Sequence, residues 1–145
     1  MRLALEEARR AERSGEVPIG AVAVFEGRVV GSGFNRPIAA MDPTAHAEII
    51  AVREAAAALK NYRLTGVDLY VTLEPCLMCV GALVHARVRT VIYGACEPKT
   101  GALVSATRAL EIPSLNHRFE VVGEILEEEC RRIVQEFFEQ KRGPR

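Results

Sequence analysis

The sequence predicts an α/β sandwich: one domain with a mostly parallel sheet and helices on both faces. Three observations carry this. A pair of short apolar runs meets at Glu26-Gly27 near the amino end. After it, segments of helical spacing alternate with short runs of strand-like alternation. No internal repeat, low-complexity tract or Pro/Gly/Ser linker divides the 145 residues, a length that buries a substantial core. A hairpin followed by alternating helix and strand is the order of layered α/β folds, whose parallel strands are joined by helical crossovers.

The elements follow in order. Met1 to Ser14 places Leu5, Ala8 and Ala11 at helical spacing, and Gly15 ends it. "GAVAVFEGRVVGSG" reads as two strands joined by a tight turn at Glu26-Gly27. "FNRPIAAMDPT" carries two prolines and reads as loop. Asp42-Pro43-Thr44 signals a helix start, with Thr44 as cap, and Ala45, Ile49, Val52, Ala56 and Leu59 then form one apolar face to about Lys60. "VDLYVTL" alternates as a strand, and Pro75 suits the first turn of a helix running to about Arg87. "RTVIYG" is a strand, "EPKTG" a loop, and 105–110 a short helix. "RFEVVGE" is the last strand. Glu127 to Lys141 is the last helix, with Cys130, Ile133, Val134, Phe137 and Phe138 on its buried side.

Composition narrows the function classes. Hydrophobic residues at 49% and charged residues at 26% describe a globular chain rather than a disordered or fibrous one. No apolar run approaches the roughly 18 residues of a membrane span, so no membrane partner is expected. The amino end lacks a signal-peptide layout, so a cytoplasmic chain is expected. A formal net charge of zero gives no global attraction to polyanions, so any such partner must be held by local basic patches. The basic carboxyl end, "CRRIVQEFFEQKRGPR", is the first candidate, although its charge alone is equally that of a solvated helix face.

Four cysteines are present: Cys76, Cys79, Cys96 and Cys130. In a reducing compartment a close pair points to metal or redox chemistry, whereas the two isolated thiols read as buried or half-buried packing residues. Cys76 and Cys79, at i and i+3 near a helix start, can face one metal ion, and the helix dipole there favours thiolate. His46 offers a third ligand. A Cys-x-x-Cys alone fits a redox pair or half of a structural zinc site equally well. His85, His117, Cys96 and Cys130 are all poorly placed as a fourth ligand, which favours three protein ligands and one open position. Glu48 then gains a role. On a regular helix it would point away from His46 two positions earlier, so both face one centre only if His46 sits where the helix begins. A carboxylate there can take a proton from water that zinc has brought to a pKa of roughly 7.

"HAE", followed thirty positions on by "PCLMC", matches the His-x-Glu … Pro-Cys-x-x-Cys signature of the zinc nucleoside and nucleobase deaminases. Further segments, among them "EVPIGAVAV", "FNRPI", "NYRLTG", "YGACEPKTGA" and "NHRFEVVGEILEEEC", resemble the bacterial tRNA adenosine deaminases of the cytidine/deoxycytidylate deaminase superfamily over nearly the whole chain. The resemblance implies a three-layer α/β/α sandwich with a five-stranded mixed sheet, a homodimer and one zinc per chain. It implies a tRNA partner whose wobble adenosine, in an arginine anticodon stem-loop, becomes inosine by attack of hydroxide on C6 and loss of ammonia. His46, Cys76 and Cys79 would hold the metal and Glu48 would move the proton. Asn35 would bind the flipped-out base, with Ile19 and the backbone of Ala47 lining its pocket. Departures from the family pattern fall at Glu97, often Asp in relatives, and at Val104, often Gly.

Reading of RNA from the residues themselves rests on Phe137 and Phe138 ahead of Lys141 and Arg142, and on Lys99 in "EPKTG". Single-stranded bases are held by stacking and phosphates by cations. The same phenylalanines also serve as the buried stripe of the last helix. The alternatives are a deaminase of a free base, a zinc-stabilised binding module in which Glu48 has no use, and a thiol redox protein that leaves His46 unexplained.

Overall fold

A computed structural model describes residues 1–143 of the chain; Pro144 and Arg145, at the basic carboxyl end, lie outside the described residues. The hairpin forms as the sequence indicates. Strands β1 (Gly20–Phe25) and β2 (Arg28–Phe34) pair antiparallel around Glu26 and Gly27. Both turn residues have positive φ, 50° and 76°, as a two-residue turn that matches strand twist requires. Helix α1 (Arg2–Arg13) precedes the hairpin and buries Ala4, Leu5, Ala8 and Ala11, one stripe of helical period.

The sheet continues with β3 (Asp68–Leu73), β4 (Thr90–Ala95) and β5 (Glu120–Val122), in the order β2-β1-β3-β4-β5. β1 runs antiparallel to both its neighbours, whereas β3–β4 and β4–β5 are parallel. Four strands therefore share one direction and β1 alone opposes them. The mostly parallel expectation holds for strand direction, while the neighbour pairs divide evenly between the two kinds. Helix α3 (Ala47–Leu59) carries the chain over β1 from β2 to β3, and α4 (Leu77–Ala86) carries it from β3 to β4. α3 and α4 share one apolar core with the sheet; α1 and α5 (Glu127–Arg142) share another through Leu5, Ala8, Cys130 and Ile133. Three layers result.

The sequence placed the buried face of α3 one step round from its position. Its most buried residues are Ala47, Glu48, Ala51 and Ala55, while Val52, Ala56 and Leu59 are half-buried at its flank. The cause lies in β2. A Cβ at Gly31 would meet the Ala55 nitrogen at 2.7 Å, and one at Gly33 would meet the Ala47 carbonyl at 2.6 Å. Glycine in the strand and alanine on the helix bring the two backbones together, so the smallest side chains take the closest contact.

Smaller corrections concern the loops. "FNRPIAAMDPT" contains a short helix, α2 (Pro37–Ala40), with Pro at its first turn. The helix expected over 105–110 is instead a 3-10 turn at Ala109–Glu111. On α5, Cys130, Ile133 and Phe137 are buried, but Phe138 is 45% exposed, since it lies one step round from Phe137.

Candidate metal and substrate site

The site forms where two helices begin, at the same end of the sheet, after strands that run the same way. Such ends of parallel strands are where ligands bind in open α/β sheets. His46 is the N-cap of α3, with extended angles (φ −77°, ψ 154°). Thr44, expected as the cap, instead donates both its N–H and its hydroxyl to Asp42 Oδ1, at 2.9 and 2.7 Å. This shift resolves the spacing problem. His46 sits outside the helical rotation that Glu48 follows, so the two can address one centre. Cys76 is likewise the N-cap of α4 (φ −76°, ψ 173°), so Pro75 lies just before the helix rather than in its first turn. Cys79 is one turn on.

These elements bring His46, Cys76 and Cys79 together, with their ligand atoms all within 4.8 Å of one another. His46 Nδ1 lies 3.6 Å from Cys76 Sγ and 3.5 Å from Cys79 Sγ. A tetrahedral zinc with bonds of ~2.0–2.1 Å to nitrogen and ~2.3 Å to sulfur sets those pairs roughly 3.5 Å apart. The donor set therefore fits that ion in both softness and spacing. Among the described residues no fourth such side chain joins the cluster. His117 Nε2 is 2.9 Å from the Val88 carbonyl, Cys96 lies against the Tyr93 hydroxyl, Cys130 is in the second core, and His85 is exposed.

The electrostatics favour a cation. The hydrogen bond from the Cys79 thiol, helped by His46, overrides burial and holds the Cys76 pKa down at about 4. The same bond, together with burial, pushes the Cys79 thiol well up. His46 is raised chiefly by its bond to Cys76, against burial. The proton left on the sulfur pair is the one a divalent cation displaces on binding. Glu48 lies beside the cluster, 4% exposed. Burial raises its carboxyl to about 7, and the Cys76 charge adds to this, against its own backbone N–H, His46 and Cys79.

Asn35, 6% exposed, accepts a 2.9 Å hydrogen bond from the Ala47 N–H through Oδ1, and its own N–H donates to the Ile19 carbonyl at 3.1 Å. Asn35, Ile19 and Ala47 are thus contiguous at the start of α3. The Ala47 N–H is already occupied by that bond. Asn35 also lines a small, mainly apolar cavity with Val17, Pro37, Ile38, Phe137 and Phe138. Phe137 is the inner wall, and Phe138 packs edge-on against it at 5.4 Å. Lys99 is separate from this cavity. It is exposed at the edge of a neighbouring groove with Thr100, Phe138, Lys141 and Arg142.

Two buried acids escaped the sequence reading. Glu16 accepts the N–H groups of Ile38 (3.2 Å) and Ala39 (2.8 Å), which fixes α2 just after Asn35. Glu74, 3% exposed, gathers donors from 97–105 directly before the cysteine helix. Only its place offered a signal: an acid at the end of an apolar strand, next to Pro75-Cys76.

A family model for MafB19-like deaminases matches residues 1–142. The tRNA-specific adenosine deaminase of Haemophilus influenzae is 48% identical over 143 residues, 98% of this chain and 83% of that one. The protein of the same description from Agrobacterium fabrum is 49% identical over 142 residues, 98% of this chain and 93% of its own length. A solved structure from work on A-to-I editing by tRNA:A34 deaminases at the wobble position of transfer RNA matches with a TM-score of 0.90 and 49% identity, over 92% of this chain and 96% of that one. Likeness of that extent, on a fold and a His-Cys-Cys cluster already in place, means that the chain belongs to the tRNA-specific adenosine deaminases, within the MafB19-like deaminase family.

Proposed function

We propose that this enzyme converts the wobble adenosine of a tRNA anticodon, an arginine tRNA, to inosine with release of ammonia. The observation that carries the reading is the site itself: three soft donors at zinc spacing with a buried carboxyl, Glu48, beside them. His46 Nδ1 and the two sulfurs would hold one zinc per chain, and such an ion would supply a Lewis acid that brings the pKa of a bound water to roughly 7. Glu48 would serve as the proton carrier, accepting a proton from the attacking water and handing it to adenine N1 as the C6–O bond forms. The same carboxyl would then move the remaining proton of the added hydroxyl to the exocyclic amine, the C6–N bond breaking as the C6 carbonyl forms, so adenosine and water give inosine and ammonia. A group that both accepts and returns a proton near neutral pH works best with a pKa near 7, which burial supplies here.

Asn35 orients the base. Its Oδ1 is engaged by Ala47, so its amide hydrogens are the donors left for ring acceptors. Ile19 supplies an apolar wall. Phe137 backs the cavity that Asn35 shares, Phe138 offers the exposed ring face, and Lys99 with Lys141 and Arg142 supplies cations for phosphates. A chain that presents one such face contacts only part of a stem-loop, and Leu77 and Met78 are exposed on the cysteine helix. This supports a homodimer. Reduced cysteines and a tRNA partner support a cytoplasmic setting. No helix among the described residues is long and apolar enough to cross a membrane.

The test is inosine formation by the zinc-loaded protein on an arginine-tRNA anticodon stem-loop, with adenosine, cytidine and guanine in parallel. Inosine at the wobble position alone supports the reading. Ammonia from a free base would keep the chemistry and overturn the RNA substrate.

A further inference from the structure

We infer that Glu74 is a positioning residue for the RNA, holding the 97–105 loop, and Lys99 with it, against the start of the cysteine helix. This rests on the proposed RNA reading. The Glu74 carboxylate is almost fully enclosed and takes five hydrogen bonds. Oε1 accepts the Glu97 N–H at 3.1 Å and the Ser105 hydroxyl. Oε2 accepts the N–H groups of Leu103, Val104 and Ser105 at 3.0, 2.8 and 3.1 Å. One side chain thus satisfies both ends of the loop. A Cβ at Gly101 would fall 2.5 Å from Oε1 and 2.6 Å from the Glu97 carbonyl, so the loop is folded tightly over the carboxylate. The Ala102 N–H also donates to the Pro75 carbonyl at 2.8 Å, and Pro75 adjoins Cys76.

Lys99 stands two residues after Glu97, and its N–H bonds the Glu97 carboxylate at 2.9 Å. Its exposed ammonium faces the groove shared with Lys141 and Arg142. All five bonds of the Glu74 carboxylate go to residues of this loop. Its influence on turnover passes through the loop, so it acts on how RNA is held rather than on the chemical step.

Glu74→Gln isolates the effect without leaving a cavity. An amide keeps one acceptor oxygen. Placed on the three-donor side, it presents its NH2 to the Glu97 N–H, and that end of the loop is released. We expect KM for the stem-loop to rise about tenfold, the scale of one charged hydrogen bond, with kcat within about twofold and zinc content unchanged. Ser105→Ala, which removes one donor from the rim, raises KM in the same direction by less. Lys99→Ala raises KM too, and Glu74→Gln added to it has no further effect, because both act through the same ammonium. An unchanged KM in Glu74→Gln and Ser105→Ala, a fall in kcat alone, or multiplying effects in the double variant would each overturn the inference. Failure of the unmodified enzyme to deaminate the stem-loop is a different result, and it would remove the RNA reading itself.

Discussion

Asn35 Oδ1 accepts the Ala47 N–H at 2.9 Å, so one buried side chain ties the loop after the hairpin to the first turn of the helix between His46 and Glu48. That N–H has no partner within the helix, and water cannot reach it at this depth. Asn35 therefore caps α3 from outside and fixes the placement of two other site residues.

The role proposed for Asn35 at the base, beside its bond to Ala47, separates two variants. Asn35→Asp keeps the acceptor, and a carboxylate at a helix start is favoured by the dipole, so unfolding should change by no more than about 1 kcal/mol. It removes both amide donors, and kcat/KM on the stem-loop should fall at least about a hundredfold, as a site left without its donor discriminates strongly. Asn35→Ala leaves the Ala47 N–H orphaned and should cost about 1–3 kcal/mol as well as activity. Chemical denaturation and steady-state kinetics on both variants check this. Normal turnover in Asn35→Asp would free Asn35 of any role at the base.

Glu48→Gln preserves size and burial while abolishing proton transfer. We expect zinc content near one per chain and a single-turnover rate lower by about 10²–10⁴, the usual contribution of a positioned acid–base group. Metal analysis alongside the rate separates loss of the proton shuttle from loss of the ion. A variant that keeps both zinc and activity would leave the buried carboxyl without function.

Chelation should act on stability as well as on activity. His46, Cys76 and Cys79 lie at the starts of two different helices, so an ion held by them would bridge α3 and α4 and would bind the folded chain far better than the unfolded one. Removing it should lower the melting temperature and open Cys76 to alkylation first, because its sulfur is already held as thiolate and is less buried than Cys79. Peptide mapping after brief labelling reads the order. Equal labelling of Cys96 and Cys76 would contradict it.

Gly31 tests why α3 turns its alanines inward. A Cβ there would press on the helix backbone at Ala51 and Ala55, which cannot yield as a flexible side chain does. Gly31→Ala should destabilise by about 1–3 kcal/mol, the range for overpacking, and should weaken zinc retention by shifting the helix that begins at His46. Unchanged stability would mean that the close approach is incidental.

The strands were legible because alternation and turn chemistry act locally: Glu26-Gly27 alone identifies the hairpin. The clustering of His46, Cys76 and Cys79 was legible because the spacing and type of those residues are restrictive. Other features depend on distant partners. The inward face of α3 is set by glycines in β2, and Ala47, Ala51 and Ala55 are not its most hydrophobic residues. Glu16 and Glu74 look like surface acids until segments 22 to 31 positions away supply the donors that let them be buried. Phe137 and Phe138 differ by one helical step, too little for periodicity to say which faces solvent.

Asp68 and Arg89 join the start of β3 to the residue just before β4 by two hydrogen bonds, at 3.0 and 2.7 Å. The guanidinium holds the Asp68 carboxyl below its ordinary value, against a smaller opposing effect of burial. A carboxylate with a depressed folded-state pKa contributes stability that is present above its unfolded pKa of ~3.9 and is lost as pH falls through the folded value. Arg89→Gln should therefore unfold more readily than the parent at pH 7. The gap should close once the pH falls below the carboxylate range, where Asp68 is neutral in both proteins. Both partners are partly open to water, so added salt should narrow the gap at pH 7 as well. Denaturation midpoints at neutral and acid pH, each at low and high salt, decide it. A gap that persists at acid pH would assign the role of Arg89 to the packing of its stem rather than to its charge.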